Sequence, residues 1–156
     1  MFQNNSAQVI SSLHDICVEW LYEIAEEVEA QTKRNCDNGA VDTGQLRGSY
    51  TYEIDEYNLS GKVGSPLENA VWSEFGTGNY AQYGNGRKTP WYVPVAGYTG
   101  KKRPTYNGKV VVVHTKNGDF YKTNGKRPHR MMQRAYDSVK NKAQKALEKK
   151  LKRLEK

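Results

Sequence analysis

The spacing of apolar residues predicts a long helix near each end of the chain. In residues 6–33, apolar side chains recur every three or four positions, as on one face of an amphipathic helix. That stripe consists of Val9, Ile10, Leu13, Ile16, Cys17, Trp20, Leu21, Ile24 and Val28. Ser6 is a suitable N-cap. Residues 128–154 carry a second stripe, and Pro128 suits the first turn of the helix that it predicts.

Shorter patterns between the two helices predict strands and one small helix. Residues 49–54 alternate as a half-buried strand does, and residues 62–65 follow a turn-rich stretch, which predicts a hairpin. Residues 66–75 read as a short helix. Together these elements predict an α+β fold with a small, mainly antiparallel sheet between two long helices.

Residues from about 79 to 127 differ in character from the rest of the chain. The stretch 76–127 holds nine of the fourteen glycines and three strand-like segments, at residues 91–95, 109–114 and 119–122. Asn117 and Gly118 lie between the last two segments and form a strong hairpin signal. We expect a β-rich insertion, part of a single domain that spans residues 1–156.

Composition narrows the class of protein. At 156 residues, with 37% hydrophobic residues and a mean hydropathy of −0.88, the chain predicts a modest core and part of its stability from neighbours in an assembly. It has no apolar run long enough for a membrane span and no secretory signal pattern. Two cysteines indicate synthesis in a reducing cytoplasm and not a disulfide scaffold.

The net charge of +7 hides a sharp division along the chain. Residues 1–75 carry thirteen acids and four bases, a net charge of −9, whereas residues 76–156 carry four acids and twenty bases, a net charge of +16. Such a chain can pair its acidic and basic surfaces internally or between copies, or place bases near nucleic acid.

Three short motifs carry the most information. Residues 41–49 read Val-Asp-Thr-Gly-Gln-Leu-Arg-Gly-Ser, residues 64–65 read Gly-Ser, and residues 74–77 read Glu-Phe-Gly-Thr. Asp42 and Thr43 can accept backbone N–H bonds in a turn, and Gly44 supplies a conformation that other residues resist. Leu46 is expected in the core and Arg47 beside a carboxylate such as Glu74. Gly76 is expected as a left-handed helix C-cap.

These motifs, in this order, resemble the tail-completion (head–tail joining, neck) proteins of long-tailed double-stranded DNA bacteriophages. The resemblance spans residues 6–150. The matching positions are Val41, Asp42, Thr43, Gly44, Leu46, Arg47, Ser49, Val63, Gly64, Ser65, Glu74, Phe75, Gly76, Thr77 and Pro128.

The resemblance implies a non-enzymatic structural protein of the virion neck, assembled in the host cytoplasm, without cofactor or metal. Copies of the chain would form a ring, six-fold by family analogy, between the head and the tail. Its other partners would be the head-closure or connector proteins, the tail tube or tail terminator protein, and the genomic DNA passing through the lumen. The insertion at 79–127 would act as a contact arm.

Three other readings of the motifs are weaker. Asp42-Thr43-Gly44 is also the triplet of aspartic proteases, but those enzymes need two such carboxylates and the chain has one copy. His14 and Cys17 have a metal-compatible spacing without a second ligand pair. The Gly-rich stretches 76–78 and 84–89 lack the spacing of a phosphate-binding loop.

The basic C-terminal helix leaves one alternative function open. From residue 126 to residue 156 there are twelve bases and three acids. The chain could therefore be a sequence-independent nucleic-acid-binding protein, or the helix could bind an acidic partner. The candidate contact residues are Arg130, Arg134, Lys140, Lys142, Lys145 and Lys149.

Overall fold

The computed structural model describes residues 5–37, 44–100 and 102–155 and has the predicted α+β architecture. Helix α1 (Ser6–Asp37) and the short helix α2 (Gln45–Ser49) precede a hairpin of β1 (Thr51–Asp55) and β2 (Ser60–Gly64). Helix α3 (Glu68–Phe75) leads through a 3-10 turn (Gly78–Tyr80) into β3 (Trp91–Pro94), β4 (Val111–Thr115) and β5 (Gly118–Thr123). Helix α4 (Met131–Leu151) and a 3-10 turn (Lys152–Glu155) end the described chain.

Helices α1 and α4 pack against each other in antiparallel directions. Near the end of α1, the Asn35 side chain donates to the Met131 carbonyl at the start of α4, at 2.8 Å. In the first half of α1, the Trp20 indole N–H donates to the Ala143 carbonyl, also at 2.8 Å. Buried Ala135, Val139 and Ala143 line this contact, because their small side chains let the two helices approach closely.

Ion pairs hold the other end of the helix pair. The ammonium group of Lys150 lies 2.8 Å from the Glu19 carboxylate and 3.1 Å from that of Glu23. The Lys150 side chain is only 10% exposed, whereas its neighbour Lys149 faces solvent. The hydrogen bond and charge of Lys150 hold the pKa of Glu19 below its ordinary value of 4.5.

The core lies where the end of α1 meets the start of α4. It consists of Cys36, Leu46, Tyr50, Ala70 and Met131, with Met132 packed against it. Burial raises the pKa of the Cys36 thiol to about 11, so the thiol stays protonated at neutral pH. Helix α1 runs past its predicted end at residue 33, because Thr32 and Cys36 are buried there.

The start of the predicted apolar stripe of α1 is not covered. Val9, Ile10 and Leu13 belong to this stripe and are 53%, 67% and 41% exposed. The predicted helical spacing is correct. Spacing alone does not tell how far the partner helix extends along the stripe.

The first hairpin follows the predicted pairing and packs on α1. Strands β1 and β2 are antiparallel, with Tyr52 opposite Val63. The rings of Tyr22 and Tyr52 meet edge to face, with their centres 6.4 Å apart. Ser49 ends α2 and does not begin the strand as predicted, because its hydroxyl donates to the Leu46 carbonyl at 2.7 Å.

The insertion forms a second antiparallel sheet, with strand order β3-β5-β4. The predicted hairpin of β4 and β5 is present, but its two turn residues are Lys116 and Asn117, because Gly118 already pairs with Thr115 as the first residue of β5. Tyr121 of the central strand is buried and meets the ring of Tyr98. No helix in the described part of the chain is long and apolar enough to cross a membrane.

Helix α4 begins three residues later than predicted. Its N-cap is Arg130, which has a left-handed backbone with φ of 52°, and Pro128 lies outside the helix. The N–H groups of His129 and Arg130 donate to the Ser73 and Glu74 carbonyls, at 2.8 and 3.3 Å. These bonds hold residues 129–130 against the end of α3, so the helix starts only at Met131.

The ion pairs of Lys150 give a testable pH dependence. We expect Lys150→Met to lower the melting temperature at pH 7 by more than the matched control Lys149→Met, because only Lys150 contacts acids of α1. A carboxyl whose pKa is lowered in the folded state stabilises the fold above its ordinary value, and that stabilisation is lost as pH falls through the folded value. In thermal unfolding scans, the difference between the variants should therefore shrink below pH 4.5 and disappear at a pH below the lowered pKa of Glu19. An unchanged difference at that pH would contradict the ion-pair assignment.

Candidate assembly surfaces

The motif residues within the described structure lie around one junction of α2, β2, α3 and α4. Val41, Asp42 and Thr43 fall outside the described residues. Gly44 has φ of 80° and immediately precedes α2, in agreement with its predicted role. Leu46 is buried in the core as expected. These positions organise backbone and core contacts.

The first two motifs are joined by a pair of serines. The hydroxyls of Ser49 and Ser65 lie 2.7 Å apart. Ser65 also accepts the Leu67 N–H at 3.1 Å, just before α3 begins. Gly64 ends β2 opposite Thr51. The serine pair thus connects the end of α2 to the segment that leads from the hairpin into α3.

Glu74 connects α3 to α4. Its side chain is 6% exposed, and its two carboxylate oxygens accept the N–H groups of Met132 and Gln133, at 3.0 and 2.9 Å. These are N–H groups of the first turn, which have no partner inside the helix, and the carboxylate also favours the positive end of the helix dipole. Arg130 supplies no side-chain cap. Glu74 therefore performs the capping role from a neighbouring helix.

Arg47 lies beside a carboxylate as predicted, but the carboxylate is that of Asp37 and not that of Glu74. The Arg47 guanidinium pairs with Asp37 at 3.3 Å, and both side chains are about half exposed. Glu74 faces α4, where backbone N–H groups already occupy both oxygens. Sequence spacing could not identify Asp37 as the partner of Arg47, because the two side chains meet only in the folded chain.

Thr77 and Gly76 hold the base of the insertion together. The Thr77 N–H donates to the Lys126 carbonyl at 2.9 Å, and the Lys126 N–H donates to the Thr77 hydroxyl at 3.0 Å. Gly76 closes α3 with φ of 73° and an extended ψ of 176°, so the positive φ was predicted correctly and the helical ψ was not. A Cβ at Gly76 would lie 2.8 Å from both the Lys126 carbonyl oxygen and Pro128 Cδ.

A broad cleft separates α3 from the insertion. Its volume is about 1150 Å³, and aromatic and basic side chains line it together: Trp72, Tyr80, Trp91, Tyr98, Arg103 and Arg127. The Arg127 guanidinium lies 5.3 Å from the centre of the Tyr80 ring. This surface was not predicted from the sequence. The only sequence signal for this cleft is the alternation of aromatic and basic residues in residues 80–106.

The six predicted contact bases of α4 are all exposed. Lys142, Lys145 and Lys149 follow a spacing of three and four residues and share one face, while Arg130 and Arg134 lie one turn apart. Lys140 pairs with Asp137 at 3.3 Å. The helix therefore presents bases to solvent along its length, suited to an acidic protein surface or to phosphates.

The metal-site interpretation of His14 and Cys17 finds no assembled site among the described residues, and Asp42 of the protease triplet falls outside them. The His14 ring nitrogen Nε2 lies 3.0 Å from the Glu56 carbonyl oxygen, and Cys36 is buried against Met131 at the far end of α1. Across the described residues, no group of three His, Cys, Asp or Glu side chains could hold a metal ion. Phe75 is 37% exposed and stacks near Tyr83, at the surface.

Comparison with known families agrees with the motifs. Residues 4–76 match the HK97-gp10-like family, described as "Bacteriophage HK97-gp10, putative tail-component". This match covers slightly less than half of the chain and confirms the resemblance to phage tail proteins. The match ends at Gly76, so it covers α1 to α3 but neither the insertion nor α4. No curated protein and no solved structure matches the chain.

The capping role of Glu74 can be measured. We expect Glu74→Ala to lower the free energy of unfolding by about 2 kcal/mol, because two N–H groups of α4 lose their acceptor. Glu74→Gln keeps one acceptor oxygen and should lower the free energy of unfolding by about 1 kcal/mol. Glu148→Ala is the control, because it removes the same charge from an exposed site in α4 and should change stability by less than about 0.5 kcal/mol. Equal denaturant midpoints for Glu74→Ala and Glu148→Ala would refute the cap.

Close packing at Gly76 gives a second stability test. Gly84 has a similar φ of 69°, but a Cβ there would meet nothing within 4 Å. Gly84→Ala should therefore lower the free energy of unfolding by about 1 kcal/mol, because only the positive φ is unfavourable for alanine there. Gly76→Ala should lower the free energy of unfolding by roughly 3 kcal/mol, because the added methyl group also displaces Lys126 and Pro128. Chemical denaturation of both variants would show whether the base of the insertion is as tightly packed as described.

Proposed function

We propose that this chain is a structural virion protein that forms a ring at the phage neck and joins the DNA-filled head to the tail. The observation that carries the proposal is the ordered set of motifs, most of it inside the region that matches a phage tail-component family. In the structure the described motif residues connect helices and strands through hydrogen bonds and core contacts. A subunit of a rigid ring needs such fixed contacts between its elements, and it needs no catalytic group.

The ring would contain several copies of the chain, six by analogy with the resembling family. Head-closure or connector proteins would contact one side, and the tail tube or tail terminator protein the other. Genomic DNA would pass through the lumen. The aromatic and basic cleft beside α3 is the surface best suited to one of these protein partners, because rings and arginines are enriched in protein interfaces.

The distribution of charge supports contacts between unlike surfaces of neighbouring copies. Asp55 and Glu56 are exposed at the turn of the first hairpin, and the six contact bases are exposed along α4. Subunits of a ring meet head to tail through two different surfaces, and opposite charge favours such pairing over like-to-like contact.

Sequence-independent DNA binding is the second candidate function. The exposed face formed by Lys142, Lys145 and Lys149 favours it, because regularly spaced cations can follow a phosphate backbone. The mark of this function would be DNA retardation that weakens steeply with salt and depends on these lysines. A DNA contact inside the ring would be compatible with the first candidate.

The neck role is tested by electron microscopy of lysates from a phage that lacks this gene. We expect DNA-filled heads beside free tails, and tailed particles restored when the chain is supplied in trans. A control lysate from a phage that lacks its major tail protein should show filled heads and no tails. Normal tailed particles without the gene would refute the joining role and make DNA binding the leading function.

A further inference from the structure

The aromatic and basic cleft beside α3, here called the cleft, is strongly cationic. Its described lining residues include four bases and no acid. The bases are Lys102, Arg103, Lys126 and Arg127. The insertion, which supplies most of the lining, carries ten bases and one acid over residues 79–127. A concave surface with this charge attracts an anionic partner.

The acids near the cleft do not cancel this charge. Three acids lie within four residues of a lining residue in sequence, and six further bases lie within the same distance. Glu68 is exposed one turn before Trp72, and Glu74 is buried with both oxygens bonded to α4. Asp119 is four residues from Thr123 along β5, a distance of about 13 Å. The cleft and its surroundings are therefore both positive.

Two rings beside the cleft hold its cations in position. The Arg127 guanidinium lies 5.3 Å from the centre of the Tyr80 ring, and that of Arg87 lies 5.8 Å from the Trp91 ring. In the described part of the chain, neither guanidinium forms an ion pair with a carboxylate, and neither does that of Arg103. Nucleic-acid bases stack on open ring faces, so rings covered by guanidinium groups favour carboxylates over stacked bases.

The turn of the first hairpin is an exposed acidic and aromatic surface. This tip, residues 55–59, presents Tyr57, which is 92% exposed. Asp55 and Glu56 are exposed beside it, and Glu53 is exposed just before it. None of these three carboxylates forms an ion pair within the described residues. Lys62, opposite Glu53, is the one base of residues 51–64.

We propose that the tip of one copy docks in the cleft of the next copy. Tyr57 would enter among the rings of the cleft, while Asp55 and Glu56 would meet its lysines and arginines. Tyrosine and arginine are the residue types that anchor many protein interfaces. The tip supplies both the negative charge and the ring that the cleft accommodates, so the chain itself carries a matching occupant.

The tip and the cleft lie toward opposite ends of α1. The His14 ring nitrogen Nε2 lies 3.0 Å from the Glu56 carbonyl oxygen, which places the tip beside the first half of the helix. The lining residue His129 directly precedes α4, whose Met131 carbonyl accepts the Asn35 side chain. His14 and Asn35 are about 32 Å apart along the helix axis. The contact therefore joins two copies through unlike surfaces.

A contact between unlike surfaces is head to tail and leads to a closed ring or an open filament. As the subunit contact of the neck ring, the inference rests on the proposed function. Because the contact pairs opposite charges, it should weaken as the salt concentration rises.

The experiment uses one variant of each surface and a matched control for each. Tyr57→Lys replaces the ring of the tip by a cation, and Arg103→Glu reverses a charge of the cleft. Tyr92→Lys is the control for the tip, because Tyr92 is 54% exposed and alternates with the lining residues of β3. Lys116→Glu is the control for the cleft, at the exposed turn between β4 and β5. Sedimentation velocity at low and high salt gives the oligomeric state, and thermal unfolding verifies each fold.

We expect wild type and both controls to sediment as oligomers at low salt. Tyr57→Lys and Arg103→Glu should each associate at least about tenfold more weakly. An equimolar mixture of these two variants should associate again, because one has an intact cleft and the other an intact tip. Tyr57→Ser and Arg103→Ser replace the charged variants if these unfold.

Three results would overturn the proposal: a monomeric wild type, surface variants that associate as strongly as wild type, or a mixture that stays monomeric. If the wild type is monomeric and retards a DNA oligonucleotide only while Arg103 is intact, the cleft belongs to nucleic acid.

The interface and the neck role can fail separately. If the tip and cleft variants behave as expected but a phage without the gene makes normal tailed particles, the contact stands and the neck role falls. If that phage yields separate heads and tails while purified Tyr57→Lys associates as wild type does, the neck role stands and this contact falls.

Discussion

The fold depends on a single carboxylate that joins two helices. Glu74 ends α3 and accepts two N–H groups from the first turn of α4, while the backbone of residues 73–74 accepts two more from residues 129–130. An N-terminal first turn needs such acceptors, and Arg130 provides none. Because α4 packs on α1 and covers the core, this buried side chain connects α3 to the pair of long helices.

The same junction also determines where the insertion begins and ends. Thr77 and Lys126 exchange two hydrogen bonds directly after Glu74 and Gly76, so about fifty residues leave and return at one point. An insertion closed at its base can change in sequence without disturbing the helix pair.

Several features of the site were predictable because they depend on local chemistry. Gly44 and Gly76 have the positive φ that their motif positions predicted, and β4 and β5 form the hairpin that Asn117 and Gly118 indicated. Other features required tertiary contacts. The partner of Arg47 proved to be Asp37, Lys150 proved to be buried among acids of α1, and α4 started at Met131, because each depends on residues distant in sequence.

Sequence by itself determined the elements, the antiparallel hairpins and the resemblance to phage tail proteins, since periodicity, turn residues and motif order act over short distances. Only the tertiary structure decided which parts of each stripe are covered. Val9, Ile10 and Leu13 have the same spacing as the buried half of α1, yet remain exposed. Burial depends on how far a partner element extends, and that length is a property of the assembled fold and not of the helix that carries the stripe.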